Sequence, residues 1–144
     1  MASDIALRID SRLENVSLLG TVMNALAVRF GYDDAETANI ELCVVEAVSN
    51  SVRHAYKGEP GHPVTVEVRL KDHGLEIRVL DEGLPVPPEN RVPREPDFDP
   101  SDIFTVPEGG RGTFIMHSLM DSVTYGLEGR TNVLLLTKGP PAKA

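Results

Sequence analysis

Apolar and polar residues alternate along residues 5–10 (Ile-Ala-Leu-Arg-Ile-Asp), the two-residue period of a short strand. The period then lengthens. Between Leu13 and Phe30 apolar residues recur at Leu18, Leu19, Val22, Leu26 and Phe30, which is helical spacing, and Gly31 supplies a C′ stop. Asp33, three residues before Glu36, has the form of a capping box; it opens a second helix expected to run to about Lys57, with Gly58 ending it. Residues 59–63 (Glu-Pro-Gly-His-Pro) read as a loop. Residues 64–70 and 75–80 alternate as two strands, with Asp72-His73-Gly74 as the hairpin turn between them. A helix from about Thr113 to Met120 and a last hairpin, 122–127 with 132–137 around Glu128-Gly129, complete the pattern. Helices set between runs of antiparallel strands predict an α+β fold. It is a two-layer α/β sandwich, in which helices cover one face of a mixed, mostly antiparallel sheet.

The periodicity lapses between Leu84 and Gly112, a stretch that holds seven of the eleven prolines. A loop this long inside a compact domain is usually a lid, a binding loop or a linker. The chain has 144 residues, enough for one domain with its own core; residues 1–138 are expected to form it and 139–144 a frayed tail. With 14 basic against 22 acidic residues the net charge is −8, which argues against nucleic acid or an anionic membrane as partner. Cys43 is the single cysteine, so a disulfide framework and a Cys-based zinc site are excluded; its Val-rich helix makes it a small core residue. No segment is apolar for long enough to span a bilayer, and Met-Ala-Ser-Asp lacks the order of a signal peptide, so a cytoplasmic location is expected.

The second helix carries candidate chemistry. At about 100° per residue, Val44, Val48, Val52 and Ala55 share one face, and Glu46, Asn50, Arg53 and Lys57 the opposite one. Glu46 and Asn50 lie one turn apart, and His54 a further turn along, towards the edge of that face. The plain reading is a solvated polar face. Asn, however, is a poor helix former, and its place mid-helix points to work for its oxygen. A neutral oxygen suits Mg²⁺, which takes its other ligands from water and phosphates. A carboxylate one turn away can orient or deprotonate a nucleophile. Asp81-Glu82-Gly83 follows the apolar strand Ile77-Arg78-Val79-Leu80. It reads either as a turn with an Asx hydrogen bond, or as a carboxylate that accepts from the exocyclic amine of adenine, with Gly83 admitting the ring. Gly109-Gly110-Arg111-Gly112 leads into a helix. It is either an N-cap loop or a place where an anion can approach backbone N–H groups. No Gly-Lys-Ser/Thr, His-Arg-Asp or Asp-Phe-Gly motif occurs, so any ATP chemistry must use another scaffold than the P-loop or the protein-kinase fold.

Taken in order, these segments resemble one superfamily. Glu46-x-x-x-Asn50-x-x-x-His54-Ala55-Tyr56 resembles the N box of the GHKL (Bergerat) ATPases, Asp81-Glu82-Gly83 their adenine-binding G1 box, and Gly110-Arg111-Gly112-Thr113-Phe114-Ile115-Met116 their G2 box. Glu-Ala-Val-Ser-Asn with His-Ala-Tyr and Gly-Arg-Gly-x-Phe-Ile-Met resembles the branch of bacterial anti-sigma-factor serine/threonine kinases of partner-switching systems, over nearly the whole chain. The resemblance implies Glu46 as catalytic base and Asn50 as Mg²⁺ ligand. It implies His54 near the phosphates, Asp81 on adenine, Gly83, Gly110, Gly112 and Thr113 along the nucleotide, and Arg111 on a phosphate. Residues 84–109 would be the ATP lid. Many relatives have a second glycine where this chain has Pro85, which fixes φ and stiffens that hinge. The implied cofactors are ATP and Mg²⁺. The implied partners are a small STAS-like anti-sigma-factor antagonist, phosphorylated on Ser or Thr, a sigma factor, and a second copy of the chain. The implied activity is that of a serine/threonine protein kinase and anti-sigma factor; the alternative is a non-catalytic ATP-binding module that sequesters a regulatory partner. Glu46 argues against degeneracy. A histidine-kinase fragment is disfavoured because no helix bearing a phosphoacceptor histidine precedes the domain.

Overall fold

A computed structural model describes residues 3–87 and 108–142. β1 (Ser3–Asp10) leads into α1 (Leu13–Phe30), which ends where the helical spacing and Gly31 placed its stop. Gly31 takes a left-handed conformation (φ 101°), which lets its N–H and that of Tyr32 close back on Val28 O and Ala27 O at 3.0 and 3.1 Å. α2 (Asp34–Asn50) opens at Asp33, whose carboxylate accepts from the Glu36 N–H at 2.8 Å.

The end of α2 differs from the expectation. The α-helix stops at Asn50 and gives way to a π turn, Ser51–Ala55, before Lys57 (φ 53°) and Gly58 (φ 77°) turn the chain away. The Tyr56 N–H donates to Ser51 O at 3.0 Å, five residues back, and the Gly58 N–H to Val52 O at 2.8 Å. Wider turns of this kind are rare and recur at functional sites. Nothing in an apolar period of 3.6 reveals a local change to the longer π repeat.

β2 (Pro63–Lys71) and β3 (Gly74–Asp81) form the expected hairpin. α3 (Glu108–Leu119), β4 (Ser122–Glu128) and β5 (Thr131–Lys138) follow. α3 starts earlier than expected: Gly109, Gly110, Arg111 and Gly112 belong to its first turns and do not form a loop before Thr113. Of the proposed lid, 84–87 carry neither helix nor strand; 88–107 lie outside the described residues.

The strand order is β1-β2-β3-β5-β4 and every described ladder is antiparallel. This is the mostly antiparallel sheet of the expected two-layer α+β fold, without a parallel pair among the described strands. β5 inserts between β3 and β4, and α3, which precedes β4 in the chain, packs on α2 in the helical layer. The register aligns Ile5, Leu7 and Ile9 with Val68, Val66 and Val64, and these with Ile77, Val79 and Asp81; Asp81 in turn faces Asn132. All of these side chains share one face, and it is the helix-covered one. Val64, Val66, Val68, Ile77 and Leu136 are wholly buried against Met23, Ile40, Val44 and Val48. On α1 the buried line is Val16, Leu19, Gly20, Met23 and Ala27, while Leu18 and Val22 of the apolar repeat face solvent. Gly20 explains the choice of face: a Cβ there would stand 2.7 Å from Val45 Cγ2, so the helices touch where the side chain is smallest.

Gly139, expected to begin a loose tail, is tied at both its polar groups. Its N–H donates to Asp121 Oδ2 at 2.6 Å and its carbonyl accepts from the Tyr32 hydroxyl at 2.7 Å. Cys43 is fully buried, as its surroundings implied, and burial pushes its thiol up to about 11. Thiolate is the reactive form. Native protein at pH 8 is therefore expected to resist an aromatic disulfide reagent, with one thiol per chain reacting once denaturant is added; fast labelling of folded protein would contradict this packing. No described helix is long and apolar enough to cross a membrane.

Candidate nucleotide site

The helix α2 and its π turn form the spine of the site. From Glu46 to Ala55 they run about 13 Å along the axis at ~1.5 Å per residue, comparable to an extended nucleoside triphosphate. Glu46 and Asn50 are half-buried, on the side away from Val44, Val48 and Val52. Among the described residues neither the Glu46 carboxylate nor the Asn50 carboxamide is engaged in a hydrogen bond. Half-buried polar groups left this way are suited to a ligand. His54 and Arg53 lie on the π turn and are exposed.

At one end of this spine α3 crosses close to Glu46. A Cβ on Gly112 would stand 2.5 Å from Glu46 Oε2. The glycine admits the carboxylate beside the first turns of α3, where N–H groups lack intrahelical partners. Gly110 and Arg111 lie in those turns; the Arg111 side chain is outside what the structure describes. Thr113 follows, partly buried.

At the other end, the Ala55 carbonyl accepts from the Leu84 N–H at 2.9 Å. Gly83 lies directly against it: an added Cβ would overlap Ala55 O and come within 2.7 Å of Ala55 Cβ. The π turn thus frees a helix-end carbonyl to hold the loop after β3. Tyr56 secures the same loop, accepting from the Glu82 N–H and donating to Pro63 O, both at 2.7 Å, while its ring stacks on His62 at 4.7 Å. Burial raises the Tyr56 hydroxyl above its ordinary range, so it stays a neutral donor.

Asp81 is buried at this end. The turn and acceptor readings of its sequence coexist. Its Oδ1 accepts from the Gly83 N–H at 3.0 Å, the Asx hydrogen bond, and from Asn132 Nδ2 at 2.7 Å. Among the described residues every hydrogen bond to this carboxylate lands on Oδ1, and Oδ2 is left to accept from something else. Asn132 also donates to Gly83 O and Leu84 O at 3.1 and 3.3 Å, and its own oxygen accepts from the Tyr125 hydroxyl at 2.5 Å. Asn132 and Tyr125 lie outside the motifs, and Tyr56 closes the first motif without a role having been assigned to it. One signal was available: Asn132 sits in phase with Leu134 and Leu136 in an apolar strand, a polar residue at an inward position.

The described residues contain no group of three or more His, Cys, Asp or Glu able to hold a metal. A site with one carboxamide, Asn50, fits an ion that takes most of its ligands from phosphates and water, which is the habit of Mg²⁺. The two ends differ in chemistry: a buried carboxylate oxygen at Asp81, next to the loop that Gly83 seats against Ala55, and helix N–H groups with a carboxylate at Glu46–Gly112.

The chain is similar to known proteins. The chain is 34% identical over 139 residues to the serine-protein kinase RsbW of Listeria monocytogenes serovar 1/2a, covering 94% of this chain and 87% of that protein. It is 29% identical over 123 residues to the serine-protein kinase RsbW of Bacillus subtilis, covering 85% and 77%. A crystal structure of the RsbU and RsbW domains of Rv1364c from Mycobacterium tuberculosis superposes with a TM-score of 0.69 at 15% identity. That match takes in 99% of this chain and 34% of the longer one, and it shows the fold. The family model of the histidine kinase-like ATPase domain matches residues 9–138, nearly all of the sheet and helices described above, and the chain belongs to that family.

Proposed function

We propose that this chain is an ATP-dependent serine/threonine protein kinase, acting in the cytoplasm on a small antagonist protein and holding a sigma factor inactive in one state of that antagonist. The observation that carries the nucleotide half is the second oxygen of buried Asp81, Oδ2, which no described residue engages. The relatives named serine-protein kinase support the transfer half. Residues 1–138 act as one catalytic domain.

Phosphoryl transfer asks the protein chiefly for positioning and charge stabilisation. Asp81 Oδ2 accepts from the 6-amino group of adenine, and Gly83, packed against Ala55, fixes the loop beside it. Asn50 would hold Mg²⁺, whose contribution when bound is to neutralise charge on the phosphate oxygens. The first turns of α3, with Gly110, Arg111, Gly112 and Thr113, offer N–H groups and a positive dipole end to the phosphates, and His54 lies towards them. Glu46 takes the proton of the substrate hydroxyl as its oxygen attacks the γ-phosphorus. The bond from that phosphorus to the β–γ bridging oxygen breaks, ADP departs, and the seryl or threonyl phosphate remains on the antagonist.

The Asp81→Asn variant tests the base assignment with a signed outcome. Two donors, Asn132 Nδ2 and the Gly83 N–H, point at Oδ1. They hold an oxygen there, so the new NH₂ takes the Oδ2 position and meets the adenine amine donor to donor. Loss of a hydrogen bond to a charged group costs about 1.5–3 kcal/mol, roughly 10- to 150-fold in affinity. By titration calorimetry with Mg²⁺, the variant is expected to lose ATP affinity on that scale and to improve relatively for inosine triphosphate, whose 6-oxo group accepts. Wild-type protein that binds no ATP would end the nucleotide reading.

A further inference from the structure

Asp81 does not hold its orientation alone. The χ2 torsion of an aspartate is broad and roughly two-fold, so the plane of the carboxylate is set by what surrounds it. Here the surroundings are a directed chain. The Val86 N–H donates to the Tyr125 oxygen at 3.0 Å. The Tyr125 hydroxyl donates to Asn132 Oδ1 at 2.5 Å, and Asn132 Nδ2 donates to Asp81 Oδ1 at 2.7 Å. Each link fixes the next. The hydroxyl oxygen accepts from the Val86 N–H, and the hydroxyl donates to Asn132 Oδ1. Because three acceptors surround Nδ2 (Asp81 Oδ1, Gly83 O and Leu84 O), the carboxamide can sit only one way round. Asn132 is 4% exposed and Asp81 7%, so water is a poor substitute for any of these bonds.

We infer that Asn132, held by Tyr125, is a positioning residue that aims the free oxygen of Asp81 at the 6-amino group of the base and so sets the selectivity for adenine nucleotides. This rests on the reading of Asp81 as the base acceptor. The register makes the arrangement local to the site: Asp81 and Asn132 are cross-strand partners on β3 and β5, and Tyr125 lies on the same face of β4, diagonal to Asn132. Without Asn132, Oδ1 keeps only the Gly83 N–H, and the carboxylate can rotate away from the base. A purely structural role, bracing the loop through Gly83 O and Leu84 O, would loosen the site for every nucleotide alike.

The experiment is calorimetry of the full chain with Mg²⁺, titrating ATP and, separately, purine riboside 5′-triphosphate, which lacks the 6-amino group. Asn132→Ala is expected to lower ATP affinity about tenfold or more, the range of a hydrogen bond to a charged group, and to leave the affinity for the deaminated analogue unchanged. Tyr125→Phe removes one oxygen and keeps the ring; it is expected to lower ATP affinity about threefold, again without moving the analogue. Tyr125→Phe also carries the test if Asn132→Ala lacks a cooperative melting transition. Equal losses for the two ligands, or no loss for ATP, overturn the inference while the nucleotide site stands. If wild-type protein binds neither ligand, the site reading fails first and takes this inference with it.

Discussion

Glu46→Gln is expected to bind Mg·ATP as wild-type protein does and to transfer phosphate about 10²–10⁴-fold more slowly, the usual contribution of a general base. The separation follows from the geometry. Glu46 stands beside Gly112 at the α3 end of the spine, while Asp81, the proposed base acceptor, is held by Asn132 near the Ala55 end. Glutamine keeps the length and the hydrogen-bonding oxygen but loses the basic carboxylate. The measurement is single-turnover transfer from γ-labelled ATP to the antagonist, with phosphosite mapping and parallel calorimetry. A variant that labels at the wild-type rate removes Glu46 from the role of base. Wild-type protein that binds ATP yet labels no serine or threonine on any copurifying partner would instead favour an ATP-binding module that sequesters its partner.

Much of this architecture was legible from periodicity and caps, because those features are local. Gly31 and Asp33 act as the stop and the cap that their positions announced. The two hairpins lie within a residue or two of the alternating segments. The strand order was not legible: the insertion of β5 between β3 and β4 depends on non-local pairing, and no single segment records it. The π turn was missed because Ser51–Ala55 keeps apolar residues on its inner side, so the pattern reads as ordinary helix. The start of α3 was placed too late, since glycine's low helix propensity argues for a loop; tertiary contact with Glu46 outweighs it at Gly112.

The site was legible in its motifs and not in its supports. Glu46 and Asn50 lie one turn apart on α2, with Gly112 of α3 beside Glu46 and Gly83 against Ala55 at the other end. Glu46–Gly112 and Asp81–Gly83 are direct neighbours. Asn132 and Tyr125 come from strands some fifty residues later, and only the register brings them to Asp81. A residue whose work is to hold another has no chemistry of its own to announce it. The sequence marks Asn132 only as a polar residue at an inward position, and its role follows once the hydrogen bonds of Asp81 are traced.

Two glycine-to-alanine substitutions should give opposite results, because they meet different kinds of neighbour. At Gly112 the added methyl would meet the far end of a flexible side chain, Glu46 Oε2 at 2.5 Å. The carboxylate can swing aside, and alanine favours a helix over glycine by about 0.8–1 kcal/mol. Gly112→Ala should therefore melt no lower than wild type, bind ATP, and transfer phosphate slowly, with its base displaced. At Gly83 the methyl would meet backbone: Ala55 O overlaps it and Ala55 C lies 2.5 Å away. Neither atom can move without shifting the π turn or the loop. The loop must lift off, breaking the bond from the Leu84 N–H to Ala55 O at 2.9 Å and disturbing the bond from the Gly83 N–H to Asp81 Oδ1 at 3.0 Å. Overpacking of this kind costs about 1–3 kcal/mol. Gly83→Ala is expected to melt lower than wild type and to lose ATP affinity at least about tenfold, since the hydrogen bond at Asp81 is worth that much. Thermal melting and calorimetry on the two variants side by side make the check. Wild-type ATP affinity in Gly83→Ala would show that the base does not depend on the loop that Gly83 seats against Ala55. Wild-type transfer by Gly112→Ala would show that Glu46 can do its work from a second position.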